Sequence, residues 1–185
     1  MHTYSDKNLP TSMCKRRLCQ PDVNARIKMK VNLEEIREKT VTVNDYINSL
    51  EGSFRDRFLI RKKAYKLSFE TINRFKQFAK NYFLVAFSAE WCKDCAANIP
   101  VLALISEATG LEVRIFGGLK KDPLSGTGKW RIPPSPPEVE TFGVEKIPLI
   151  VVFNTDGNEV GRIIENPKEP TLEEELLKII LSGQR

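Results

Sequence analysis

Cys92 and Cys95, separated by Lys93 and Asp94, are the side chains in this sequence best placed to do chemistry. Thiols three residues apart lie close to one helical turn apart, so they can cycle between a dithiol and a disulfide. The attacking species in such exchange is the thiolate, and the nucleophile therefore needs a lowered pKa. Cys92 stands where a helix is expected to begin. Unsatisfied backbone N–H groups and the positive end of the helix dipole favour an anion there. Lys93 should lower the pKa further and Asp94 should raise it. Cys95 would then attack a mixed disulfide at Cys92 and release the reduced substrate. The competing readings are half of a zinc site and coincidence. Zinc normally takes four ligands, and only Cys14, Cys19 and His2 could supplement the pair, all in a remote stretch. Redox chemistry is the expected role, with no metal.

The second pair, Cys14 and Cys19, flanks Lys15-Arg16-Arg17-Leu18. Its spacing suits neither one helical face nor the usual Cys-x-x-Cys ligand pattern. Three readings stay open: free thiols, an auxiliary redox pair that exchanges with Cys92–Cys95, or a metal or cluster site. The neighbouring positive charges favour thiolates.

The dithiol must be held by something, and the surrounding pattern supplies it. Tyr82–Ser88 reads as a strand that runs into the helix expected from Cys92 to about Thr109. Leu111–Phe116 is a β-branched strand ended by Gly117-Gly118. The first two strands are joined by a helical crossover, so they should be parallel. Residues 119–137 form a long loop rich in Pro, Gly, Ser and Lys. A short helix follows from Pro136-Pro137-Glu138 to Phe142. Leu149–Phe153 and Glu159–Ile164 flank the turn Asp156-Gly157-Asn158 and make an antiparallel hairpin. Thr171 to Glu174 is a capping box that opens a last helix to about Leu181. Upstream, Thr42 or Asn44 caps a helix through Leu50 that Gly52 ends, and a second segment carries Phe54, Phe58 and Tyr65. Ser68 caps a third helix with Ile72, Phe75, Phe78 and Ala79 on one face. This order predicts an α/β sandwich with helices on both faces of a mixed sheet.

Composition agrees with a folded domain: of the 185 residues, 41% are hydrophobic and 29% charged. The longest apolar runs are too short to span a bilayer, so no membrane partner is expected. The N-terminus shows no apolar signal core, and a cytoplasmic location, where thiols are kept reduced, is expected. The net charge of +5 is uneven. Residues 1–80 hold 18 Lys and Arg against 9 Asp and Glu, whereas residues 81–185 hold 11 against 15. The run Arg61-Lys62-Lys63 reads as a solvated helix face rather than a nucleic-acid site, because the basic residues lack aromatic interleaving.

Ala89-Glu90-Trp91-Cys92-x-x-Cys95, Pro100, Ile147-Pro148 before a strand, and the Gly-Asn-Glu-Val hairpin together resemble the thioredoxin family over roughly residues 78–182. The resemblance implies a thioredoxin-like three-layer sandwich with a mixed central sheet, here preceded by an α-helical N-terminal extension. With the composition, it divides the chain into an expected basic, flexible tail that holds Cys14 and Cys19 (1–30), a helical extension (31–80) and a thioredoxin-like domain (81–185). It makes Cys92 the nucleophile and Cys95 the resolving thiol. Pro148 becomes a cis-proline beside the dithiol, and Trp91, Ile147 and Pro148 the apolar surface that meets substrate. Pro100 would be structural. The implied activity is thiol–disulfide oxidoreduction on protein disulfides, part of cell redox homeostasis, with electrons from an upstream thiol reductase such as a thioredoxin reductase and no bound cofactor. The alternative is a non-catalytic adaptor on the same scaffold. Three departures stand out. Lys93-Asp94 replaces the usual Gly-Pro. Ala86 stands where the family's buried acid falls, leaving Asp94, Glu90 or water to replace it. The usual first strand gives way to the helical region 43–80.

Overall fold

The computed structural model describes residues 29–125, 129–130 and 132–184. Cys14, Cys19 and His2 lie outside them. The chain enters along the later hairpin: Met29 O accepts from Glu159 N and Val31 N donates to Gly157 O at 2.9 Å. Gly157 has φ +77°, and a Cβ there would meet Val31 O at 2.0 Å, so only glycine lets the two backbones touch.

Helix α1 spans Leu33–Lys39, capped by Asn32, whose side chain accepts from Glu34 N and Glu35 N. Strand β1 is the two residues Val41–Thr42. Helix α1 falls within the helical extension expected over 31–80, though no pattern singles it out, and β1 is absent from that expectation. A two-residue strand carries no readable alternation, and α1 buries only Ile36. The first strand is thus shortened to an edge piece rather than replaced by helices. Helix α2, Val43–Ser49, is capped by Thr42, and α3, Gly52–Ala64, begins at Gly52. Gly52 therefore opens α3, after α2 has already ended. Helix α4, Phe69–Lys76, is capped by Ser68 and buries Ile72 and Phe75. It stops short of Ala79, which falls in a 3₁₀ turn, Ala79–Asn81.

The core follows as β2 (Tyr82–Phe87), α5 (Lys93–Thr109), β3 (Glu112–Phe116), α6 (Glu138–Thr141), β4 (Leu149–Asn154), β5 (Glu159–Ile164) and α7 (Leu172–Ser182). One five-stranded sheet has the order β1-β3-β2-β4-β5. The β2–β3 pair is parallel, as a helical crossover requires; β4 lies antiparallel to β2, and β5 antiparallel to β4. Every residue of β2 is buried, the signature of a strand covered on both faces. Phe87, Phe116 and Phe142 pack together on one face, with Phe87 and Phe116 stacked at 4.7 Å. On the other, α5 and α7 pack against each other and against β3, β4 and β5. The mixed sheet with helices on both faces is the predicted sandwich.

The N-terminal helices are bound to this core by polar contacts as well as apolar ones. Arg61 Nε donates to Ala97 O at 3.1 Å, and Lys62 Nζ lies 2.6 Å from Glu107 Oε1. The basic run is thus not simply a solvated face: two of its three residues tie α3 to α5. Glu173, fully buried at the start of α7, accepts from Tyr65 Oη at 2.8 Å and from Ser68 N at 3.1 Å. Among the described residues no helix is long and apolar enough to cross a membrane.

Candidate active site

Strand β2 delivers its C-terminal end to the first turn of α5, and the two cysteines sit there. Cys92 is the N-cap of α5, with extended backbone (φ −77°, ψ 124°), and its sulfur accepts from Cys95 N at 3.2 Å. A sulfur thus occupies the place usually taken by a Ser or Asp oxygen. Both thiols are free. Cys92 retains 7% of its surface, whereas Cys95 retains none.

This asymmetry separates their acidities. Hydrogen bonding from the Cys95 thiol pulls the Cys92 pKa down to about 7. Burial opposes that shift, the Cys95 and Asp94 N–H groups support it, and the Asp94 carboxylate works against it. Burial pushes the Cys95 thiol far up, and the neighbouring Cys92 sulfur pushes it further. Cys92 is thus the more readily ionised and the more reachable of the two sulfurs, and Cys95 is a buried thiol that holds its proton.

The wall facing the sulfur is the segment before β4. Cys92 Sγ lies 3.6 Å from Ile147 O, and the Ile147–Pro148 peptide bond is cis. Ile147 and Pro148 are themselves buried. Pro148 O accepts from Glu165 N at 2.8 Å, and Asn98 Nδ2 of α5 donates to Glu165 O at 3.0 Å. The helix that carries the cysteines therefore also holds the Pro148 segment through Asn98. Trp91 forms the rim. It is 42% exposed, donates from Nε1 to Leu119 O at 3.1 Å, and stacks on Trp130 at 6.2 Å. A cleft of about 430 Å³ opens over Cys92 between Trp91, Trp130 and Ile147, with Lys93, Lys121 and Lys129 around it.

Cys92, Cys95, Trp91, Ile147 and Pro148 are thus brought together within one small region. Cys14 and Cys19 fall outside the described residues. Among the described residues no group of three His, Cys, Asp or Glu side chains is arranged to hold a metal ion. Ala86 is fully buried and offers no acid. Asp94 is engaged by Asn166, whose Nδ2 donates to Asp94 Oδ1 at 3.2 Å. Three residues escaped the sequence reading: Trp130, Ser88 and Tyr46. Trp130 lies in a loop without periodicity. Ser88 reads in the sequence as the last residue of a strand, though β2 ends at Phe87, and Tyr46 reads as an ordinary helix residue.

Residues 40–174 match the family model described as Thioredoxin. The chain belongs to the thioredoxin family. It is 34% identical over 98 residues to the thioredoxin of Chlamydia caviae, a match covering 53% of this chain and 80% of that protein. With the thioredoxin of Chlamydia muridarum it shares 38% identity over 86 residues, covering 46% and 71%. In three dimensions it resembles a protein of unknown function from Pseudomonas aeruginosa, with a TM-score of 0.57 at 16% identity over 83% of this chain and 91% of that one. It is also similar to an HIV epitope-scaffold, with a TM-score of 0.58 at 16% identity, covering 83% and 90%. At that identity the structural likeness speaks for the fold alone. The family match begins at residue 40, inside the region expected to be a separate extension, and takes in β1.

Proposed function

We propose that this protein is a thiol–disulfide oxidoreductase that reduces or exchanges disulfides of other proteins through Cys92 and Cys95. The observation that carries the reading is the placement of two free thiols at one helix N-terminus: Cys92, whose sulfur accepts from Cys95 N at 3.2 Å and borders the cleft, and Cys95, fully buried behind it; the lowered Cys92 pKa and the raised Cys95 pKa agree with that placement. In the first step the Cys92 thiolate attacks a substrate disulfide R–S–S–R′. The Cys92–S–S–R bond forms, the substrate S–S bond breaks, and R′–S⁻ leaves to take up a proton. In the second, the Cys95 thiol loses its proton and attacks Cys92 Sγ. The Cys92–Cys95 disulfide forms and R–S⁻ leaves. The substrate gains two electrons, the protein dithiol loses them, and an upstream thiol reductase, such as a thioredoxin reductase, restores the dithiol.

Trp91 offers an exposed ring to an incoming chain, while Ile147 and Pro148 supply the wall against which the target disulfide aligns. The cysteines carry the electrons, so no further cofactor enters the chemistry. A cytoplasmic setting, where thiol reductants are abundant, suits a protein that works as a reductant. The test is turnover of a protein disulfide such as that of insulin under dithiothreitol, comparing the unmodified protein with Cys92→Ser. Loss of all protein-dependent reduction in the variant is expected; equal rates would leave a non-catalytic adaptor as the better reading.

A further inference from the structure

Resolution of the mixed disulfide has an unanswered requirement. Cys95 is fully buried and holds its proton strongly, yet it must lose that proton to attack. No carboxylate stands at Ala86 to take it.

One buried oxygen next to Cys95 is unaccounted for. Ser88 is fully buried, and its hydroxyl completes no hydrogen bond among the described residues. Buried hydroxyls left in this way are rare and cost stability, so their retention asks for a reason. The backbone aims this one. Ser88 N donates to Phe116 O at 3.0 Å, which carries the β2–β3 pairing one residue past the strand. Strand alternation then turns Ser88 to the same face as Ala86, the face covered by α5. There the hydroxyl stands beside two groups, the Cys95 thiol and the Tyr46 hydroxyl; burial pushes the pKa of both up, and Ser88 works against that rise at each. Tyr46 is held in turn. Its ring meets Phe58 edge-on at 6.2 Å and lies so close to Gly117 that a Cβ there would come within 2.8 Å of Cε2. Tyr46 also lines, with Ala89, Glu90 and Trp91, a second cleft of about 420 Å³. That volume is ample for water.

We propose that the Ser88 hydroxyl, positioned by Tyr46, takes up the Cys95 proton during resolution and passes it through Tyr46 to water in the second cleft. The inference rests on the oxidoreductase reading above. As Cys95 Sγ attacks Cys92 Sγ, its proton moves to Ser88 Oγ. The Ser88 proton moves to Tyr46 Oη, and the Tyr46 proton passes to water beside Glu90. The Cys92–Cys95 bond forms, the Cys92–S–R bond breaks, R–S⁻ leaves, and one proton reaches solvent. Neither hydroxyl ionises on balance, so their weak acidity is no obstacle. In the reverse direction the same pair returns a proton to Cys95 when the disulfide is reduced.

The test uses full-length protein with Cys14→Ser and Cys19→Ser, so that only the Cys92–Cys95 pair reacts. Dithiobis-nitrobenzoate, followed by stopped flow, releases one coloured thiolate when Cys92 attacks and a second when Cys95 resolves. Ser88→Ala and Tyr46→Phe are compared across pH. Cys92, Asp94, Lys93 and Glu90 around the dithiol, and Lys146 and Glu165 at the mouth of its cleft, are unchanged in every protein. The expected result is a first release with its pH midpoint unmoved and a second release that is slower and has its midpoint shifted upward in both variants. A rise of one pKa unit lowers the thiolate fraction about tenfold, and the higher intrinsic nucleophilicity returns about threefold, so a net slowing of about threefold per unit is expected at neutral pH. A second-release midpoint equal to that of the parent in both variants would overturn the proposal. If Ser88→Ala fails to fold, Tyr46→Phe alone decides it. A parent protein that gives no second release at all would instead overturn the oxidoreductase reading.

Discussion

Glu173 and Ser88 are both fully buried polar residues, but their surroundings differ in kind. Glu173 sits in the first turn of α7 with each carboxylate oxygen engaged, one by Tyr65 Oη and the other by Ser68 N. It clamps the α3–α4 junction to the core. Ser88 lies at the end of β2 with its hydroxyl uncommitted, near the buried Cys95 thiol. The first arrangement is satisfied and therefore stabilising. The second is left open and therefore available. Removing one partner from a satisfied buried cluster strands the others, whereas removing a hydroxyl that bonds to nothing strands nothing. The contrast separates structure from chemistry among residues that burial alone would class together.

The comparison breaks most visibly at Glu173. Glu173→Ala leaves the Tyr65 hydroxyl and the Ser68 N–H without their acceptor and should cost about 2–4 kcal/mol, read as a lowered urea midpoint. Thiol exchange by the protein still folded should be unchanged. If exchange falls in step with stability, the two regions are not separable as argued.

The acidity of Cys92 comes next. Its pKa is lowered in the folded protein, so its reactivity is present above about pH 7 and fades as pH falls through that value. Alkylation of Cys92 by iodoacetamide should follow a single titration with that midpoint and lose about tenfold per unit below it. Cys95 should stay unmodified throughout, because it is buried and protonated. A midpoint at the ordinary thiol value would remove the Cys95 thiol's hydrogen bond, and the backbone N–H groups that support it, from the explanation.

Gly117→Ala sharpens the role of Tyr46. The added methyl meets the Tyr46 ring and should cost about 1–3 kcal/mol through overpacking. It should also slow the second thiolate release while sparing the first. The smallest effect is the most telling. Ser88→Ala should change stability by less than about 1 kcal/mol, toward greater stability, because it removes an unsatisfied buried hydroxyl. A large loss of stability would mean that Ser88 is a structural residue like Glu173.

Much of the core is legible in the sequence. The apolar run Leu149–Phe153, the turn at Asp156-Gly157 and the capping box at Thr171 are local signals, and each depends only on near neighbours. The dithiol was legible for the same reason: Cys92 and Cys95 are adjacent turns of one helix. Less legible was the region before residue 80. Helix α1 is short and mostly exposed, so its periodicity is faint. The pairing of β1 with β3 joins Val41 to Ile115 across the chain, which no local pattern announces. The run at residues 61–63 reads as solvated because the partners of Arg61 and Lys62, Ala97 and Glu107, lie on another helix.

The site divides along the same line. By itself the sequence determined the pairing of Cys92 with Cys95 at one helix start, the absence of an acid at residue 86 and the proline at residue 148, because identity and close spacing suffice for these. The tertiary structure decided the burial that splits the two thiol acidities, the Trp91–Trp130 stack and the meeting of Ser88, Tyr46 and Cys95. Those three come from the end of a strand, a helix before it and a helix after it. Desolvation and hydrogen bonding depend on what lies within a few ångströms in space, and only the folded chain brings such distant residues together.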